Sequence, residues 1–259
     1  MHVLKSIVIA FSIYSRIPVP QFEWKEEDMK YMLCFFPWVG AVTGVCVYLW
    51  NYLCGVFNVG RIAYAVIGTA IPLLVTGGFD VDGFMDTMDA FHSYQPKEKK
   101  LEILKDAHIG AFAVIMLAAY GLIYLGAFSE ITDKKLLGVV CGGFFLARCL
   151  SGISVVSFPA AKKDGMLYVF ASNSQKRIVR WALYMQSAVC VGFMLWQSLY
   201  GGIFVSAVAF LVFIYYYYRS KKELGGITGD TAGYFLLLCE EGIILAAAVV
   251  NILMWRYGQ

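Results

Sequence analysis

Two ligand patterns are missing from this chain. Its seven cysteines, Cys34, Cys46, Cys54, Cys141, Cys149, Cys190 and Cys239, form no Cys-x-x-Cys pair and mostly sit inside apolar runs. Its three histidines form no His-x₃-His pair. These absences exclude the usual zinc site and a disulfide scaffold, and the cysteines read as small buried packing residues. No Pro/Ser-rich linker and no internal repeat divides the sequence, so residues 1–259 read as one domain. Charge is also scarce. Asp, Glu, Lys and Arg make up 15% of the residues and the formal net charge is +3, too little to indicate a nucleic-acid partner. The start, Met1 to Tyr14, is apolar but short, broken by Lys5 and followed by Ser-Arg-Ile-Pro-Val-Pro where a signal peptide would carry a small-residue cleavage site. Its two prolines keep Ile17 to Pro20 extended, and with the charged stretch Glu23 to Lys30 it is expected to lie on or dip into a membrane interface.

What fills the chain instead is apolar. Hydrophobic residues are 60% and aromatic residues 16%, and the mean hydropathy is +0.67, outside the range of soluble domains. Runs long enough to cross a hydrocarbon core of about 30 Å extend over Met32 to Cys54, Ile62 to Phe79, Ile109 to Phe128, Leu136 to Phe158, Trp181 to Leu199, Gly202 to Tyr218 and Ala232 to Trp255. The fold class is therefore all-α, a polytopic integral membrane protein with about seven transmembrane helices. The pair interrupted by Tyr200, Gly201 and Gly202 is either a hairpin or one long segment. Tyr215 to Tyr218 and Trp255 to Tyr257 suit interfacial aromatic belts.

Cations give the orientation. With seven spans and an inner N-terminus, sixteen of the 21 Lys and Arg residues fall on the inner side, among them Lys97 to Lys105, Lys162, Lys163 and Arg219 to Lys222, while Arg61, Lys134, Lys135 and Arg256 fall outside. This positive-inside bias places the acidic stretch and the Gly225 to Asp230 loop on the same, cytoplasmic, face of the membrane.

The polar stretch that stands out is Gly77 to Gly110, which carries Asp80, Asp82, Asp86, Asp89 and Asp106, five of the 18 acidic residues. If the run after Gly83 is helical, Asp82, Asp86 and Asp89 stand at i, i+4 and i+7 and share one face. No lysine is interleaved before Lys97, so a hard divalent cation, Mg²⁺ or Mn²⁺, is expected to neutralise that face. The alternative is an acidic helix start, with Asp82 as a cap and Asp86 favouring the helix dipole, which leaves Asp89 and Asp106 unexplained.

A second signal follows Arg219, Lys221 and Lys222. Leu-Gly-Gly-Ile-Thr-Gly-Asp-Thr-Ala-Gly places Gly226, Thr228, Asp230 and Thr231 at the mouth of the last helix, where glycines let backbone N–H groups approach a phosphate; an ordinary interhelical loop reads the same way. Glu240 and Glu241 lie inside the last apolar run, where a carboxylate is costly. Arg148, also intramembrane, is the expected partner, with a structural ion pair preferred to a substrate role. His92 and His108 flank the acidic stretch; His92 reads as structural and His108 as a candidate phosphate contact. Carboxylates, lysines and glycine loops on one face suit transfer of a phosphoryl-linked group, with lysines holding a leaving nucleotide.

The chain resembles the cobalamin synthase family, the adenosylcobinamide-GDP ribazoletransferases, along nearly its full length. Four landmarks carry the resemblance: Tyr-Ser-Arg-Ile-Pro-Val-Pro with Phe-Phe-Pro-Trp-Val-Gly at Phe35 to Gly40, Gly-Gly-Phe-Asp-Val-Asp-Gly-Phe-Met-Asp-Thr-Met-Asp, Leu-Lys-Asp-Ala-His-Ile-Gly-Ala-Phe at Leu104 to Phe112, and Gly-Gly-Ile-Thr-Gly-Asp-Thr at Gly225 to Thr231. It implies a multi-pass, Mg²⁺-dependent enzyme that joins adenosylcobinamide-GDP to α-ribazole or its 5′-phosphate and releases GMP late in coenzyme B12 assembly. Matched by position, it implies that Asp82, Asp86 and Asp89 are catalytic and metal-binding, that Asp106 is catalytic, and that Lys105, His108, Lys221, Lys222, Gly226, Thr228 and Asp230 meet substrate. Asp80, Ala90 and His108 depart from the family's commonest residues. A CDP-alcohol phosphatidyltransferase is disfavoured because its Asp-Gly-x₂-Ala-Arg continuation is replaced by Phe84, Met85, Asp86 and Thr87. A corrinoid-binding or transport protein would want its ionisable groups along a midplane pathway.

Overall fold

The computed structural model describes residues 2–20, 23–162 and 165–257; Lys163, counted among the inner cations, lies outside the described residues. The described residues form helices α1 (His2–Tyr14), α2 (Met32–Phe57), α3 (Arg61–Thr76), α4 (Phe79–His92), α5 (Lys97–Ile103), α6 (Ala111–Glu130), α7 (Lys134–Ser157), α8 (Met166–Asn173), α9 (Lys176–Gln197), α10 (Leu199–Leu224) and α11 (Gly229–Tyr257). Six of them are long and apolar enough to cross a bilayer, and the bent pair α3–α4 makes a seventh span if counted as one. The all-α polytopic architecture is thus present.

Helix α7 is the axis. Almost all of its residues from Leu136 to Val156 are buried, because α2, α9, α10 and α11 surround it. Small residues permit that crowding: Gly40 and Gly44 of α2 lie against the backbone of Phe144 and Cys141. The other spanning helices turn large apolar side chains outward, such as Leu122 of α6 and Trp196 of α9, as lipid-facing surfaces do.

Two local breaks punctuate the helices, the first beside the start of α7 and the second at the polar end. After Gln197 the chain is a hairpin, since the Ser198 hydroxyl accepts the Gly201 N–H at 3.2 Å and starts α10 afresh. Between α3 and α4 the axis bends by 94°. The expected span to Phe79 instead stops at Thr76, because Gly77 and Gly78 take φ of +67° and +82°, a conformation glycine adopts without a Cβ penalty. The acidic helix therefore leaves this turn at a steep angle and docks by its rings: Phe84 packs on Tyr120 of α6 (5.6 Å between centroids) and Tyr234 of α11 (6.0 Å).

Candidate functional site

The acidic run forms one helix, α4, that begins at Phe79, with Asp80 and Asp82 in its first turn. Its four aspartates have four different surroundings. Asp82 is exposed and Asp86 half-buried, and Asp82, Asp230 and Asp89 are the carboxylates whose fields reach Asp86. Asp80 points inward and is buried. Its Oδ2 lies 3.6 Å from the Arg148 guanidinium, which donates to Glu240 Oε1 at 2.7 Å. Arg148 thus meets an intramembrane glutamate in an ion pair, as expected, and the structure assigns that role to Glu240; the cluster ties α4, α7 and α11 together beneath the site.

Asp89 is engaged by a neighbour. Gly110 N–H donates to its Oδ2 at 2.7 Å and Ala113 N–H to its Oδ1 at 2.9 Å. The carboxylate caps the N-terminus of α6, which has no side-chain cap of its own, and satisfies two of its orphan donors from another helix. It also pins the Leu104 to Gly110 loop beside α4. On that loop the Asp106 Oδ1 accepts from His108 N–H at 3.0 Å and lies 2.6 Å from His108 Nδ1; the hydrogen bond from the His108 side chain holds the Asp106 carboxyl below its ordinary range. Lys105, Asp106 and His108 are all exposed. His92, by contrast, is structural: its ring stacks on Phe112 at 5.3 Å, and its Nδ1 is 2.8 Å from the Met88 carbonyl.

The glycine loop reaches the same place because α4 and α11 touch backbone to backbone. A Cβ on Gly83 would stand 2.7 Å from the Asp230 carbonyl oxygen, and one on Gly233 would stand 2.7 Å from that of Asp80. The hydroxyls of the loop work within it: Thr228 N–H donates to Thr231 Oγ1 at 2.8 Å and Thr231 N–H to Thr228 Oγ1 at 3.1 Å, a reciprocal cap on α11. Ile227 pairs with the strap after α7, donating to the Pro159 carbonyl at 2.9 Å and accepting from Ala161 N–H at 2.8 Å, and Gly226 is buried against that strap. Asp230, half-buried, keeps Thr228 Oγ1 at 3.3 Å and feels the charge of Lys162.

Two cavities meet at Asp82. One of ≈ 310 Å³ is lined by Asp82, Lys162, Tyr168, Thr228 and Asp230, and the other, of ≈ 690 Å³, by Arg16, Gly77, Gly78 and Asp82. Lys162, Tyr168 and Phe79, which line the small cavity, were not singled out by sequence; the polar break after the α7 run was the available signal. Lys221 and Lys222 are exposed on the last turn of α10 and line neither cavity. Lys221 instead sits 5.5 Å over the Tyr217 ring. Lys100 forms an ion pair with Glu223, which Arg219 also meets at 2.9 Å, so part of the lysine run fastens α5 to α10.

Among the described residues no three His, Cys, Asp or Glu side chains come close enough to hold a metal ion by themselves. Magnesium does not require that, since it is commonly held by one or two carboxylates, with water and substrate phosphates filling the rest of its octahedron. Asp82 and Asp86, hard donors on an open face, fit such a shared ion. Asp89, with both oxygens committed to α6, fits it less well.

Comparison with known proteins gives the family. The cobalamin-5-phosphate synthase family model matches residues 6–249. A protein of Lachnoclostridium phytofermentans named adenosylcobinamide-GDP ribazoletransferase is 42% identical over 96% of this chain and 95% of its own. Proteins of the same name from Clostridium perfringens (31% identical, 95% of this chain and 98% of its own) and Listeria monocytogenes (28%, 89% and 92%) are also similar. No solved structure matches. The family model and these relatives cover the helices, the acidic run and the glycine loop alike, and the chain belongs to the cobalamin-5-phosphate synthase family.

Proposed function

We propose that the chain is an adenosylcobinamide-GDP ribazoletransferase of the cytoplasmic (inner) membrane. It joins adenosylcobinamide-GDP to α-ribazole or α-ribazole 5′-phosphate, giving adenosylcobalamin or its 5′-phosphate and GMP, with Mg²⁺ as cofactor and the site open to the cytoplasm. The observation that carries this reading is the contact of the acidic helix with the glycine loop, Gly83 on Asp230, in a chain related along nearly its whole length to proteins of that name.

Bound at Asp82 and Asp86 with the substrate phosphates, Mg²⁺ would offset the charge of the diphosphate. The chain's own groups do the rest. The acceptor hydroxyl attacks the phosphorus attached to the corrinoid aminopropanol, a carboxylate of the α4 face takes its proton, and the phosphoanhydride bond breaks so that GMP leaves with its own phosphate. Asp89 serves this face by fixing the loop that carries Lys105, Asp106 and His108, which we assign to substrate contact at the rim. Lys221 and Lys222, outside both cavities, draw anionic substrates toward the face. The cation bias of the sequence supports the cytoplasmic orientation.

The test is a mass-spectrometric product assay on purified protein with adenosylcobinamide-GDP, α-ribazole and Mg²⁺. The expected products are GMP and a corrinoid with a completed nucleotide loop, both lost on chelation of Mg²⁺. Corrinoid binding without GMP release would turn the reading toward a binding or transport protein.

A further inference from the structure

The large cavity has one charged wall that the functional reading does not use. It lies between the extended segment after α1 and the α3–α4 turn, and Arg16 is the only cation among its described lining residues. The side chain is exposed and makes no hydrogen bond or ion pair among the described residues. Its position is nonetheless set. Arg16 N–H donates to the Val75 carbonyl at 2.9 Å, and the aliphatic stem crosses Gly77, where a Cβ would stand 2.6 Å from Arg16 Nε and 2.8 Å from Cδ. Gly77 therefore provides both the left-handed turn and the room in which this guanidinium lies.

Asp82 lines both cavities. A displacement at phosphorus needs attacking and leaving groups on opposite sides of the reacting atom, and a carboxylate on the wall between two cavities divides the space in that way. The two sides also differ in charge and size. Lys162, in the ≈ 310 Å³ cavity, acts on Asp230, whereas the ≈ 690 Å³ cavity offers a guanidinium without a carboxylate partner among the described residues, whose planar fork suits phosphate oxygens.

We propose, on the basis of the transferase reading, that the Arg16 cavity receives the nucleotide half of the donor, that Arg16 binds the phosphate that leaves with it, and that the smaller cavity beside Asp230 takes the acceptor alcohol. The shared chemistry is an anionic phosphate ester. A free nucleotide and an anionic lipid headgroup both offer it, and the experiment separates them.

Equilibrium binding of GMP is measured on purified protein in nanodiscs of zwitterionic lipid, and again with anionic lipid added, for wild type, Arg16→Ala, Arg16→Lys and Ser12→Trp. The Ser12 variant fills the cavity and covers the case in which Arg16→Ala does not fold. Loss of a charge-assisted contact predicts GMP affinity weakened by about ten- to a hundredfold in Arg16→Ala, partly regained in Arg16→Lys, and abolished in Ser12→Trp. KM for adenosylcobinamide-GDP rises in parallel while KM for α-ribazole stays within about twofold. Unchanged GMP affinity in the folded variants overturns the proposal. So does an effect of Arg16 confined to anionic lipid, or a rise in KM for α-ribazole alone. Wild-type protein that binds GMP through Arg16 but forms no corrinoid product would sink the transferase reading and leave the cavity assignment standing.

Discussion

Gly83 lies against Asp230 so closely that a Cβ at position 83 would meet the Asp230 carbonyl oxygen at 2.7 Å and its Cα at 2.9 Å. Two segments separated by more than half the chain are thereby one site, with the acidic helix and the glycine loop sharing a wall.

That contact predicts the behaviour of Gly83→Ala. Backbone atoms cannot swing aside, so α4 and α11 must separate, and a misplacement approaching 1 Å costs about 10²-fold in transfer rate. Gly55→Ala, where nothing lies within 4 Å, is the control and should be neutral. Turnover per inserted protein is the measurement, and equal turnover of the two variants would contradict a shared wall.

The aspartates of α4 should separate by phenotype. Asp82→Asn and Asp86→Asn are expected to lower transfer by about 10²-fold or more, as for loss of a transition-state electrostatic contact, with thermal stability unchanged. Asp89→Asn should lower activity too, but with a stability loss of about 1–2 kcal/mol, because an amide offers one acceptor oxygen where two N–H groups of α6 need one each. Near-normal turnover in all three variants would reduce the acidic face to helix capping and solvation.

Much of this was legible in the chain, and the remainder has a physical reason for being hidden. Hydropathy located the spanning runs, because the hydrocarbon core fixes their length, and the cost of burying charge pointed to Arg148 and the Glu240 pair. The stop at Thr76 was missed although Gly77-Gly78 advertised it: a hydropathy window averages over a turn that is itself apolar. The role of Asp89 could not be read locally. Its partners Gly110 and Ala113 lie 21 and 24 residues away, and helical periodicity tells which residues share a face but not what that face meets. The same holds for Arg16, whose cavity exists only once α1, α3 and α4 are assembled.

The buried Arg148 cluster makes a stability prediction. Arg148→Met leaves Glu240 and Asp80 buried without their cation, and breaking such a pair costs about 3–5 kcal/mol. Combining it with Glu240→Leu should restore a large part of the loss, since paired apolar replacements remove the unpaired charge. Thermal unfolding in detergent measures both, and a double variant as unstable as the single would show that packing, not charge, dominates there.

Topology can be checked with single cysteines. Gln95→Cys and Lys222→Cys, both at exposed positions on the polar end, should react with an impermeant reagent only from the cytoplasm, and Lys135→Cys, at the start of α7, only from the other side. Labelling of Gln95→Cys and Lys222→Cys from opposite sides would separate the acidic helix from the glycine loop.

The central claim is that a hydroxyl displaces GMP at a phosphorus held against the α4 face. It is tested most directly by labelling the corrinoid-side phosphate of adenosylcobinamide-GDP, adding α-ribazole and Mg²⁺ to purified protein, and following the label. The account predicts that all of it stays in the nucleotide loop of the corrinoid product and that the released GMP is unlabelled. Label recovered in GMP, or corrinoid turned over without GMP release, would contradict it.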